Sequence, residues 1–231
     1  MKDVNVEGAL RIAKVCKDAG VSKLIHVSSL LADHNSPSAF LRSKAEGEEA
    51  LKTAFPPEKT IIVRPSALFG HEDRLLNLIG VFSASPFGYP TVNKGHTKRS
   101  PLYVGDLAEA LLRLAQKDGD QFKGKTFDLL GDRSYTMQEL ILFFSKVTLR
   151  EHKIVDMPAW AMLLYSRLFP EWRRPVYTRD SIRQLYADEP DKVAHGHLAF
   201  KDLGIEKLQG LEELSLSFLR GFRPTYAFAR P

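Results

Sequence analysis

A rhythm constrains this sequence most: apolar runs too brief to be helices alternate with longer stretches of helical periodicity. Lys23–Ser28, Thr60–Arg64 and Thr126–Leu130 are short and largely apolar, and read as buried strands. Between and around them lie helices. In Val4–Ala19 the apolar residues Val6, Ala9, Leu10, Ala13 and Cys16 share one face, and Gly20 stops the run. Phe40–Ala54 is ended by Pro56-Pro57; Asp106–Lys117 and Tyr135–Val147 follow, and Glu72–Phe82 starts as a helix. Leu102–Val104 reads as a further short strand. Strands separated by helices of this length predict an α/β fold built on a parallel sheet.

After about residue 150 the rhythm stops. Helices are expected at Ala159–Phe169, with Pro158 opening the first turn, at Arg179–Ala187, and at Leu208–Arg220. The chain therefore divides into 1–150, an α/β portion, and 151–231, a helical and basic region. No repeat or low-complexity tract interrupts either part.

Composition narrows the classes. Hydrophobic residues at 44% with 14 Phe supply a sizeable core, which argues against disorder, collagen and coiled coil. A single cysteine, Cys16, excludes an internal disulfide and a cysteine-based zinc site. The net charge of +5 suits an acidic partner or an anionic lipid surface, but no nucleic-acid docking motif accompanies it, so no nucleic-acid role is expected. Leu75–Asn93 lacks charge over nearly the ~20 residues a membrane crossing needs. Its Gly80, Gly88, Pro86 and Pro90 make it a broken segment, and no transmembrane helix is expected. The chain opens with Met1-Lys2-Asp3 and enters a helical pattern at once, without the look of a targeting peptide.

Other polar clusters read as ordinary surface. Glu46, Glu48 and Glu49 form an exposed helix face on which Glu48 can pair with Lys52. Lys94, His96, Lys98 and Arg99 form a solvated basic loop. His195 and His197 have no acidic or cysteine partner at ligand spacing, so no metal is expected there.

The chemistry concentrates where the first strand ends. Leu24-Ile25-His26-Val27 runs into Ser28-Ser29, and Phe40-Leu41-Arg42-Ser43-Lys44 opens the next helix. A strand-end hydroxyl followed by an aromatic and a Lys on one helical face resembles the active site of the short-chain dehydrogenase superfamily. In that family a Tyr hydroxyl is the general acid/base, the Lys lowers its pKa and holds the nicotinamide ribose, and the Ser polarises the substrate carbonyl. Three further segments resemble the extended and atypical members, in the same order: Asn5-Val6-Glu7-Gly8, Val63-Arg64-Pro65-Ser66-Ala67-Leu68-Phe69-Gly70 and Pro101-Leu102-Tyr103-Val104-Gly105-Asp106-Leu107-Ala108. The resemblance implies a Rossmann-like doubly wound sheet. The nicotinamide end of the cofactor site falls on Ser28, Ser29, Lys44, Pro65, Ser66 and Leu68.

Later segments narrow the likeness. Gly70-His71-Glu72-Asp73-Arg74-Leu75-Leu76-Asn77, Thr178-Arg179-Asp180 and Leu203-Gly204-Ile205 resemble the dehydrogenase-like accessory subunits of mitochondrial respiratory complex I. That resemblance implies a tightly held NADPH and a place on the matrix side of the inner membrane. There the peripheral arm meets the membrane arm near the quinone site, and the subunit supports assembly and stability. It implies other complex I subunits as partners, and the basic tail adds compatibility with anionic lipid. The helix Ala159–Phe169, with Trp160 and Trp172 near its ends, suits a membrane-arm contact, the lipid interface or an ordinary core.

Two departures qualify this picture. Phe40 stands where the superfamily has Tyr, and a benzene ring cannot shuttle a proton, so Ser29, Phe40 and Lys44 read as a vestigial site without catalysis. The Gly-rich turn that receives a pyrophosphate at a helix N-terminus is missing, since Leu129-Leu130-Gly131-Asp132 has one glycine only. The N-terminal strands of the sheet are thus expected to be absent, leaving one strand edge open. Two other readings stay open: an active NAD(P)-dependent reductase or epimerase-like enzyme, and a sensor or scaffold on the same fold.

Overall fold

The computed structural model describes residues 1–83, 88–151, 153–168 and 178–223. Trp172, Arg173-Arg174-Pro175 and the aromatic C-terminal end therefore lie outside the described residues. In chain order the α-helices are α1 (Gly8–Asp18), α2 (Ala39–Ala54), α3 (Leu75–Ser83), α4 (Val104–Ala115), α5 (Met137–Thr148), α6 (Ala159–Leu168), α7 (Arg179–Leu185) and α8 (Leu211–Leu219). The strands are β1 (Leu24–Val27), β2 (Thr60–Pro65), β3 (Leu68–Phe69), β4 (Tyr89–Thr91), β5 (Lys98–Arg99), β6 (Leu102–Tyr103), β7 (Thr126–Leu129), β8 (Tyr135–Thr136) and β9 (Ile154–Asp156). The chain forms two compact units, each taking three segments of sequence: 1–66, 105–130 and 191–208 in one, 67–104, 131–190 and 209–231 in the other.

The first unit holds the parallel sheet, in the order β1-β2-β7. Leu24 pairs with Thr60, and Ile62 with Thr126. β2 is central, and Ile61, Ile62 and Val63 are almost wholly buried, as a strand covered on both faces should be. Among the described residues β1 pairs with β2 alone, and Val27, Ile12 and Val15 are exposed. This matches the expected partial Rossmann-like α/β fold with an open edge at β1.

Helix α2 starts because Ser38 accepts the Leu41 amide in an N-cap, and it ends at Phe55, whose extended backbone leads into Pro56. Its Leu51 and Ala54 pack with Ala13 of α1 and Phe55, and Leu10, Cys16 and Leu24 flank that cluster. The chain before α1 begins as a π-helical turn, Asp3–Glu7, rather than the regular helix expected from Val4. Here Asn5 donates from Nδ2 to Ser43 Oγ at 2.8 Å. The Asn5 carbonyl oxygen lies only 2.2 Å from where a Cβ on Gly47 would stand. The two helices meet this closely because residue 47 has no side chain.

The second unit is built from small pieces. β3 pairs with β6 and β4 with β9, both parallel, while β5 pairs antiparallel with β8. Sequence periodicity misses β3, β4, β5, β8 and β9, since two or three residues are too few to show alternation, and it assigns the region after 150 as helical only. Its core joins Phe69, Leu76, Ile79, Tyr89, Leu140, Phe144 and Leu211. Two capping boxes start helices of this unit: Thr136 with Glu139 at α5, and Thr178 with Ser181 at α7.

The basic loop is not simply solvated. Arg99 donates through Nη1 to the Ala187 carbonyl and through Nη2 to that of Gln184. Burial pushes the Arg99 guanidinium below its usual pKa, against the opposing pull of Glu189 and Asp188. Glu189 is 5% exposed and accepts the amides of Ala67 at 2.8 Å and Ser100 at 2.7 Å. Asp188 accepts the Lys98 amide. Residues 184–189 thereby fasten β5 by side-chain and carbonyl contacts where its strand pairing is only two residues long.

Gly47→Ala is expected to lower stability by about 1–3 kcal/mol, because the new methyl meets backbone rather than a movable side chain. A urea midpoint unchanged from that of the parent would contradict the close helix approach.

Candidate functional site

The carboxyl ends of β1 and β2 bring four of the sequence-predicted residues together. The Ser28 amide donates to the Val63 carbonyl at 2.7 Å and the Leu30 amide to the Pro65 carbonyl at 2.9 Å. Ser28-Ser29 thus runs beside Pro65-Ser66. The Ser66 amide continues the pattern, donating to Leu129 at 2.9 Å. Ser28 is 6% exposed, and its Oγ has no hydrogen-bond partner among the described residues. Leu68 belongs to the second unit, where it pairs with Leu102 in β3.

α2 adds the polar ceiling. Phe40 and Lys44 share a face, with the ammonium 5.8 Å from the ring centroid, a cation–π contact. Burial lowers the Lys44 pKa, and Glu48 opposes that shift. His26 lies within the field of both, on the same sheet face as Ser28 by strand alternation. Burial lowers the His26 pKa first and the Lys44 charge second, with Glu48 pulling the other way. Its Nε2 is buried without a hydrogen-bond partner.

Glu48 corrects the reading of an exposed helix face. It is 3% exposed and pairs with Arg64 of β2 rather than Lys52. Arg64 donates through Nε to Oε1 at 2.9 Å and through Nη2 to Oε2 at 2.6 Å, a bidentate fork. The fork raises the Arg64 pKa, and the Asp128 charge adds to it. Arg64 and Asp128 are register partners on β2 and β7. Asp128 in turn accepts the Ala194 amide at 3.1 Å and meets His197 Nδ1 at 2.8 Å. The acidic partner of His197 is therefore 69 residues away in sequence, which local spacing cannot reveal. Among the described residues no three His, Cys, Asp or Glu side chains gather as a metal would need.

The motif before α3 also finds a local job. Asp73 accepts the amides of Leu76 and Asn77 through Oδ1 and that of Gly70 through Oδ2, tying the turn to the helix start.

The nicotinamide cofactor that this fold implies can be tested against these groups. The orphaned Ser28 hydroxyl and the half-buried Lys44 fit the nicotinamide-ribose end. No part of the 231 residues offers the Gly-rich strand-to-helix turn for a pyrophosphate. The residues present do not fit the whole cofactor, and no chemical step is derived through it.

A three-stranded parallel sheet carrying a serine pair at one strand end, beside a helix bearing Lys44, is part of a Rossmann-like α/β fold. Residues 1–129 match the NAD dependent epimerase/dehydratase family, and the chain belongs to it. Two curated relatives carry more specific names. The NADH-ubiquinone oxidoreductase 40 kDa subunit, mitochondrial, of Neurospora crassa is 32% identical over 100% of this chain and 59% of its own length. The NADH dehydrogenase [ubiquinone] 1 alpha subcomplex subunit 9, mitochondrial, of Rattus norvegicus is 34% identical over 96% of this chain and 57% of its own. The chain thus spans under two thirds of these relatives. In fold it is similar to the UDP-glucose 4-epimerase of Thermotoga maritima, with a TM-score of 0.68 at 17% identity over 95% of this chain and 70% of that one. No helix among the described residues is long and apolar enough to cross a membrane.

Removing one member of the fork should be costly. Arg64→Met or Glu48→Met alone is expected to lose about 3–5 kcal/mol, whereas the double change loses far less, because no charge is left buried alone. Additive losses in a double-mutant cycle of urea unfolding would refute the pairing. The His26 shift has a sign as well. Its folded pKa lies below the ordinary 6.5, so its neutral state costs nothing above that pH, and stability falls as pH drops from about 6.5 toward the folded value. His26→Gln should flatten that part of the stability–pH curve; an unaltered curve would show that His26 is not desolvated.

Proposed function

We propose that this chain acts as a noncatalytic accessory subunit of mitochondrial NADH:ubiquinone oxidoreductase. It sits peripherally on the matrix side of the inner membrane, at the junction of the two arms near the quinone site, and supports assembly and stability. One observation carries the reading. The epimerase-family match stops at residue 129, whereas relatives named as complex I subunits align over nearly all of this chain, including the region beyond it. The absence of a proton-shuttling group at position 40 supports it further: Phe40 offers Lys44 a ring face instead of a hydroxyl.

A second reading, a nucleotide-dependent reductase or epimerase, is favoured by the buried, unpartnered Ser28 hydroxyl beside a helix that still carries Lys44. The cofactor in either case is a nicotinamide nucleotide, NADPH in the first. Within this chain Ser28, Ser29, Lys44, Pro65 and Ser66 of the first unit would supply only its nicotinamide end.

Peptide mapping of complex I resolved on a native gel from the source organism is expected to return peptides of this chain. Their absence from that band, with the protein found elsewhere, would overturn the subunit reading. The purified chain should bind NADPH weaker than about 100 μM, on the order of 5.5 kcal/mol, and oxidise none. Micromolar binding with turnover would establish the enzyme reading instead.

A further inference from the structure

Helices α6 and α7 of the second unit meet along a buried seam of Val92, Met162 and Ile182. Beside it lies an open groove of about 450 Å³, lined by Trp160, Leu163, Leu164 and Arg167 of α6 and by Arg179 and Arg183 of α7. The spacing explains the composition. Positions 160, 163, 164 and 167 share one face of α6, and positions 179 and 183 share one face of α7. The groove is thus apolar along one helix and cationic at its end and along the other.

Three features make this more than a mixed surface. Trp160 is 69% exposed and Leu164 50%, so two large apolar side chains stand in water although Leu163 between them packs toward the seam. Arg167, Arg179 and Arg183 are all exposed, and none forms an ion pair among the described residues. Among the described residues three guanidinium groups line one groove without a carboxylate partner, which leaves charge that an anion would balance, and guanidinium forks suit phosphate oxygens. Charge discriminates between occupants. Three exposed guanidinium groups beside an exposed apolar strip match a phosphate headgroup joined to an acyl chain, and an indole at the rim is the side chain that favours an apolar–aqueous boundary.

We infer that the α6–α7 groove is a binding site for an anionic phospholipid, its phosphate held by Arg167, Arg179 and Arg183 and its upper acyl chain laid along Trp160, Leu163 and Leu164. The site gives the unit a membrane-surface contact with no helix crossing the bilayer. It rests on the groove and is separate from the complex I reading, which is judged by presence in that complex, whereas lipid binding is read on the free chain.

The test uses the full chain carrying Trp172→Phe, so that Trp160 is the only indole. Phosphatidylcholine vesicles with and without phosphatidylglycerol are titrated against it, reading both Trp160 emission and co-sedimentation. Phosphatidylglycerol vesicles are expected to bind the chain and shift the emission to the blue, while pure phosphatidylcholine does so weakly. Arg167→Gln/Arg179→Gln/Arg183→Gln should cut partitioning roughly a hundredfold, since each basic side chain near an anionic surface contributes about fivefold. Arg11→Gln/Lys14→Gln/Lys17→Gln removes the same charge from exposed positions on α1 and should leave the emission shift in place. A loss as large in this control as in the groove variant overturns the inference in favour of diffuse charge attraction. An emission shift produced by inorganic phosphate alone overturns it in favour of a soluble anion. No shift of the parent chain with any vesicle overturns it outright and leaves the groove to a protein contact, an outcome that does not depend on any variant folding.

Discussion

The Glu48–Arg64 fork fixes the geometry of the first unit. A helix can rotate about its axis over a sheet with little change in apolar contact, because apolar burial is non-directional. A bidentate ion pair cannot slide in that way. With Glu48 locked to the middle strand, the turn before it places Lys44 over the end of β1, and the turn before that places Phe40. The fork also organises charge: Arg64 faces Glu48 from the helix and Asp128 from β7, so its cation is answered from both sides. A buried pair of this kind adds little net stability over an apolar pair, but it makes any other helix placement expensive.

That fork also marks where sequence reasoning stops. The strands at 24–27, 60–65 and 126–129 and the helices between them are legible because periodicity and punctuation are local: Gly20 and Pro56-Pro57 each act on the residues next to them. The serine pair, Phe40 and Lys44 were legible for the same reason. Glu48 was misread because its sequence neighbours Glu46 and Glu49 do lie toward solvent, where they meet Lys2 and His34. Nothing local distinguishes the one carboxylate that faces a strand cation 16 residues on. The same holds for Glu189, whose two amide partners lie 122 and 89 residues away, and for the Asp128–His197 contact.

The two units differ in what holds them. In the first, strand pairing and the α1–α2 contact are continuous, and polar side chains act at a few buried points. In the second, strands of two or three residues give little cooperative pairing, and carboxylates take over from backbone carbonyls as acceptors. Asp73, Asp156, Asp188 and Glu189 each receive backbone amides. A carboxylate accepting amide donors makes a stronger bond than a neutral carbonyl does, which compensates for shorter ladders.

The way each unit is threaded has a consequence for biosynthesis. β1 and β2 can pair as soon as they leave the ribosome, but β7 comes some sixty residues later, and the Phe127–Leu198 bridge later still. At ordinary elongation rates of about 5–20 residues per second, the central strand waits on the order of ten seconds for its last neighbour. During that interval Ile61, Ile62 and Val63 have one flank unpaired. Until β7 emerges the nascent sheet keeps that flank open, and no contiguous truncation isolates one unit from the other.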